Sequence, residues 1–220
     1  MKLKGLLTVA TALTTFGALV SAQPPAPSTG NSPIVAGTHY QRITPAQPTI
    51  SDTGQVEVAE VFMYSCPACY SFEPFLARWL GTKPDNVNFV RIPASFNPIA
   101  TLHARAFYTA EALGIGEKIH APFFEEFHEK RNPLDSEAAL SEFFARFGVD
   151  EATFKSTFNS FAMHTKVERA DELIRRYRVP GTPAIVINGK YLTNGSMAGS
   201  YAAWFRTIDE LAASEQSNRR

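Results

Sequence analysis

The segment Gln55–Tyr64 (QVEVAEVFMY) runs almost directly into Cys66-Pro67-Ala68-Cys69, and this junction constrains the fold more than any other stretch. The first part is rich in valine and aromatic residues and reads as a buried strand. After Cys66 the period changes. Phe72, Phe75, Leu76, Trp79 and Leu80 recur at helical spacing. Pro67 falls in the first helical turn, where its missing N–H costs nothing. Pro74 lies further inside and is expected to kink the helix. A strand therefore feeds a helix through a turn that carries both cysteines of the chain.

Two cysteines three positions apart have four readings. Buried structural thiols are disfavoured in a secreted protein, because an oxidising compartment pairs them. A structural disulfide across so short a loop stabilises little. Half of a zinc site needs a second pair of ligands, and the chain has no further cysteine. His120 and His128 are too widely spaced for the usual finger pattern. The remaining reading is a redox dithiol. Cys66 would sit at a helix N-terminus, where unpaired N–H groups and the helix dipole favour an anion. Its pKa should fall, while Cys69, one turn in, should be shielded and act as the resolving thiol.

The compartment follows from the first residues. In MKLKGLLTVATALTTFGALVSA, Lys2 and Lys4 precede an apolar run, Gly5 to Val20, and Val20-Ser21-Ala22 offers a small-residue cleavage site. Residues 1–22 read as a secretory signal peptide cut after Ala22; the alternative is a retained membrane anchor, disfavoured because the apolar run is short for a span. No cysteine lies near that point, so a lipid anchor is not expected. Residues 23–37 are rich in Pro, Ser and Gly and read as a flexible linker. Lys+Arg and Asp+Glu both total 21, without a sustained basic block, so no nucleic-acid partner is expected.

Beyond the first helix, Asn88 to Pro93 reads as a strand. Helical spacing then recurs at 102–114, 120–131, 136–148, 150–161 and 163–179, with Ser136 and Asp150 as N-caps and Gly114 and Gly148 as stops. Ala184–Ile187 and Lys190–Thr193 read as a hairpin about Asn188-Gly189, before a last helix from about Ser200 to Ser214. Pro183, starting a strand after a turn, is a candidate cis proline. The histidines (His39, His103, His120, His128, His164) and the phenylalanines of the helical block carry no functional assignment, and the latter read as core.

The CPAC at 66–69 after a strand, the Thr182-Pro183 pair and the helical block between them resemble the DsbA family of periplasmic thiol:disulfide interchange proteins, over roughly residues 38–215. The resemblance implies an α/β, thioredoxin-like fold with an inserted all-helical domain. On this pattern 38–97 and 165–220 form the thioredoxin-like domain and 98–164 the insert. It implies a monomeric periplasmic enzyme that oxidises reduced, newly secreted proteins. Reoxidation falls to a DsbB-like membrane partner, and no cofactor is expected beyond the Cys66–Cys69 disulfide. Glu60 matches a buried acidic residue of the family below the dithiol, and Arg91 its basic partner on the next strand. Burial should raise the pKa of Glu60 and Arg91 should oppose this, so a proton carrier and a structural ion pair both remain open. Ala68 replaces a familiar histidine, which implies a weaker oxidant. Thr182 replaces a familiar valine and puts a hydroxyl beside the dithiol. The rival readings are a disulfide reductase or isomerase, and a non-catalytic peptide-binding chaperone on the same scaffold.

Overall fold

The computed structural model describes residues 33–51 and 54–218. The proposed signal peptide, residues 1–22, lies outside them, as does the linker up to residue 32. Ile34, within the segment read as linker, already packs against core residues.

The centre of the molecule is β2, Val56–Phe62, buried at every position. It pairs in parallel with β3, Val87–Pro93. α1, Pro67–Leu80, makes the crossover between them. On its other side β2 runs antiparallel to β4, Ala184–Ile187, which forms a hairpin with β5, Tyr191–Asn194. A short β1, Gln41–Arg42, closes the sheet in the order β1-β5-β4-β2-β3. The hairpin forms as its Asn-Gly pair dictates. Asn188 and Gly189 adopt φ of 52° and 65°, the primed turn that matches strand twist. Gly189 is also required by space, because an added Cβ would fall 2.0 Å from the Gln47 carbonyl oxygen.

Alternation along β2 divides the core. Val56 and Val58 face α1 and α8, Tyr201–Ser217, and pack with Phe72, Leu76, Trp204 and Ile208. Ala59 and Val61 face the opposite side. There they meet Ala170, Leu173, Ile174 and Tyr177 of α6, Phe161–Tyr177. Glu60 shares the α1 face by the same alternation. Its neighbour in the parallel register is Arg91.

Between β3 and β4 the chain forms α2, Pro98–Ala112; α3, Gly116–His128; α4, Glu137–Ala145; α5, Glu151–Phe158; and then α6. Ser136 and Asp150 cap α4 and α5 through their side chains. α2 begins earlier than its apolar period predicts, because the Asn97 side chain accepts from Ala100 N–H at 2.9 Å and Pro98 takes the first turn. Phenylalanines 107, 123, 124, 143, 144, 154 and 158 fill this block, and their cluster continues into Phe62, Tyr64, Cys66 and Cys69. The helical block and the dithiol thus share one core. β1 and α7, Gly195–Ala198, have no counterpart in the sequence reading, being too short to show a period. Phe75, read as part of the apolar stripe, is exposed and packs on Tyr201. The helix continues through Pro74, which lies on its exposed side.

Candidate active site

Cys66 is the N-cap of α1, with extended backbone angles, and its sulfur accepts from the Cys69 N–H at 3.3 Å. Both sulfurs are free thiols. Cys66 is 7% exposed and Cys69 0%. The neutral Cys69 thiol hydrogen-bonds the Cys66 sulfur. This contact, with the Cys69 and Ala68 N–H groups at the helix start, outweighs burial and brings Cys66 down to about 5. Burial pushes Cys69 strongly up, and its contact with the Cys66 sulfur adds to this. One cysteine is therefore a thiolate at neutral pH and the other a thiol.

The Thr182-Pro183 peptide bond is cis, as is Thr44-Pro45. Thr182 lies against the dithiol, its carbonyl oxygen 3.4 Å from Cys66 Sγ, a distance at which the protonated form of Cys66 donates to it. The Thr182 side chain also favours the thiolate. Beside this contact opens a cleft of about 760 Å³, with Ala68, Thr182, Pro183, Tyr201 and Trp204 in its walls.

Beneath the dithiol lies a buried charge cluster. Glu60 is fully buried. Arg91 Nε stands 3.3 Å from Glu60 Oε2, within ion-pair distance but off the line of a hydrogen bond. The same guanidinium reaches Glu73 at 3.6 Å and Glu117 at 3.7 Å. Burial pushes Glu60 up to about 8, and the Glu73 charge adds to this against the opposing pull of Arg91. Burial therefore prevails over the ion pair, because the carboxyl is fully buried and the Glu73 charge repels it. The cluster continues through His120, whose Nε2 lies 3.2 Å from Glu73 and whose Nδ1 lies 2.9 Å from the Tyr64 hydroxyl.

All six candidate residues named from the sequence, Cys66, Cys69, Thr182, Pro183, Glu60 and Arg91, fall in this one region. Glu73, Tyr64, His120 and His128 join them without having been singled out. Of the two histidines, only their matching position two turns apart in one helical segment hints at a shared face. Among the described residues no group of three or more His, Cys, Asp or Glu side chains could hold a metal ion.

A sheet of this topology, interrupted by helices and carrying a Cys-x-x-Cys pair at a helix start against a cis-proline loop, defines a thiol:disulfide oxidoreductase of thioredoxin-like fold. The family described as DSBA-like thioredoxin domain matches residues 90–200. The thiol:disulfide interchange protein DsbA of Pseudomonas aeruginosa is 37% identical over 182 residues, covering 83% of this chain and 86% of its own. That of Bordetella parapertussis is 36% identical over 203 residues, covering 90% and 96%. The crystal structure of P. aeruginosa DsbA superposes with a TM-score of 0.79 at 36% identity, over 84% of this chain and 96% of that one. Xylella fastidiosa DsbA superposes with a TM-score of 0.79 at 31% identity, over 84% and 98%. The chain belongs to the DsbA family.

Proposed function

We propose that this enzyme introduces disulfide bonds into newly secreted proteins in the periplasm, with Cys66 as the exchanging sulfur and Cys69 as the resolving one. The observation that carries the reading is the asymmetry of the pair. Cys66 is held as a thiolate by the start of α1, and Cys69 is kept neutral by burial. A dithiol stabilised in its reduced form makes its disulfide a ready acceptor of electrons.

The cycle starts from the Cys66–Cys69 disulfide. A substrate thiolate attacks Cys66 Sγ, the bond to Cys69 breaks, and the electron pair leaves on Cys69. That sulfur needs a proton, because its thiolate is strongly disfavoured. Glu60, neutral up to about 8 and close enough to sense the Cys66 charge, is suited to deliver it, with Arg91 holding the deprotonated carboxylate. A second substrate thiolate then attacks the substrate sulfur of the mixed disulfide. The substrate leaves with a new disulfide, and Cys66 departs as the stabilised thiolate. Two electrons have passed to the enzyme, and a DsbB-like membrane partner removes them. Thr182 and Pro183 border the cleft where a reduced peptide would lie. Residues 98–164 serve as the helical insert of a monomeric thioredoxin-like scaffold formed by 38–97 and 165–220, and residues 1–22 direct export.

The deciding measurement is the reduction potential against glutathione. A value on the oxidising side of the glutathione couple supports an oxidase. A value as low as that of a reducing thioredoxin, ~−270 mV, turns the reading to a reductase.

A further inference from the structure

α3 touches the redox turn through two histidines, and both meet the same residue. Tyr64, two positions before Cys66, is held at both ends. Its hydroxyl lies 2.9 Å from His120 Nδ1. Its carbonyl accepts from His128 Nε2 at 2.8 Å. Between these contacts its ring stacks on Phe123 of the same helix, with centroids 3.9 Å apart.

Each histidine also reaches α1. His120 Nε2 lies 3.2 Å from Glu73 Oε1. The His128 ring stacks on Tyr70, with centroids 4.8 Å apart and planes at 6°. Tyr70 is in turn joined to the dithiol, because its N–H donates to the Cys66 carbonyl at 3.1 Å. The hydrogen-bond polarity is set by chemistry. The Glu73 carboxylate accepts, so His120 carries its proton on Nε2 and takes the Tyr64 O–H at Nδ1. A carbonyl only accepts, so His128 Nε2 is protonated.

We propose that α3 braces the redox turn, with His120 and His128 as positioning residues that hold Tyr64, and through it Cys66, in place against the first turn of α1. Neither histidine contacts a sulfur, so their action passes through Tyr64, Tyr70 and Glu73. The geometry to be held is demanding. Cys66 Sγ depends on a 3.3 Å contact with Cys69 N–H, and such contacts weaken steeply as distance and angle degrade. The turn and the helix start belong to different elements, and the brace joins both to a third. It also explains a phenol in a phenylalanine core, since a buried hydroxyl requires a partner and this one has His120.

The inference rests on the reading of Cys66 as the reactive thiolate, and the test separates the two. Tyr64→Phe removes the hydroxyl and keeps the ring. His128→Phe removes the donor and keeps a ring on Tyr70. His128→Gln restores an N–H donor. Each reduced protein is titrated by thiolate ultraviolet absorbance and equilibrated with glutathione. Tyr64→Phe and His128→Phe are each expected to raise the Cys66 pKa by about half a unit to one unit. The equilibrium constant with glutathione should move threefold to tenfold toward the disulfide, about 15–30 mV. His128→Gln should stay close to the parent on both readouts. If Tyr64→Phe and His128→Phe keep the parent pKa and potential, even at lower thermal stability, the contacts are packing alone and the brace is overturned. Should His128→Phe fail to fold, Tyr64→Phe decides the matter from the other end of the clamp. A parent protein whose Cys66 titrates as an ordinary thiol would overturn the thiolate reading itself, and the brace with it.

Discussion

The Cys66 sulfur lies 3.3 Å from the backbone nitrogen of Cys69, so one cysteine of the pair stabilises the thiolate of the other. The arrangement is local to one helical turn. Its electrostatic setting is not, because Thr182, 116 positions away in the chain, supplies another neighbour of the same sulfur.

Brief alkylation of the reduced protein should modify Cys66 and spare Cys69. Cys66 is the partly accessible sulfur and the ionised one, with a midpoint near about 5, whereas Cys69 is buried and neutral. Peptide mapping after a short pulse reads the ratio directly. Preferential labelling of Cys69 would reverse the assignment.

The reduced form should be more stable than the oxidised form, by an amount that depends on pH. The folded pKa of Cys66 is depressed from 9.0 to about 5, so its contribution is complete above the unfolded value and is lost as pH falls through 5. Cys69 is shifted upward, which begins to cost stability once the unfolded thiol ionises, above about 9. The advantage of the reduced form therefore grows from pH 5 to pH 9 and declines beyond. At neutral pH it should amount to about 1–2 kcal/mol, after discounting for the water that reaches Cys66. Urea midpoints of the two redox forms across this range provide the check. An oxidised form that is clearly the more stable at pH 7 would mark a reductant.

Replacing Glu60 by Gln should stabilise the protein at neutral pH and not at pH 4. Here the folded pKa is raised, from 4.5 to about 8, so ionisation costs stability that begins near 4.5 and is complete above 8. Glutamine removes that cost, and Arg91 keeps Glu73 and Glu117 as partners. The expected gain is about 1–3 kcal/mol at pH 7 to 8, read from urea unfolding. A loss of stability there would mean that the Glu60–Arg91 pair contributes more than burial costs. The same variant should slow disulfide exchange if Glu60 supplies the proton to Cys69.

Thr182→Val should raise the Cys66 pKa by about half a unit to one unit, and make the disulfide a weaker oxidant. The substitution keeps the shape and the carbonyl beside Cys66, and removes only the hydroxyl that favours the thiolate. An unchanged titration would show that the hydroxyl has no part in the redox balance.

Much of this site was legible in the chain. The switch from strand to helical period at Tyr64–Cys66, the proline in the first turn and the Asn-Gly hairpin are local signals, and each element formed where its pattern lies. Local signals suffice there because a helix N-terminus and a primed turn depend on neighbours within a few residues. The place of Cys66 as the cap of α1 follows from that geometry. The elements too short to show a period, β1 and α7, were not legible, and neither was the start of α2, where Asn97 and Pro98 override the apolar pattern.

What the chain alone could not settle is which distant side chains meet. Burial and Arg91 were expected to pull Glu60 in opposite directions, and only the packing shows that Glu60 is fully buried with the Glu73 charge at the same guanidinium, so that burial prevails. His120 and His128 carried no functional assignment in the sequence. They became neighbours of the redox turn when α3 docked on Tyr64, a contact spanning 56 positions for one and 64 for the other. A periodic pattern specifies which face of a helix is apolar. It does not specify the element that face will cover, because that depends on how every other element fills the same core.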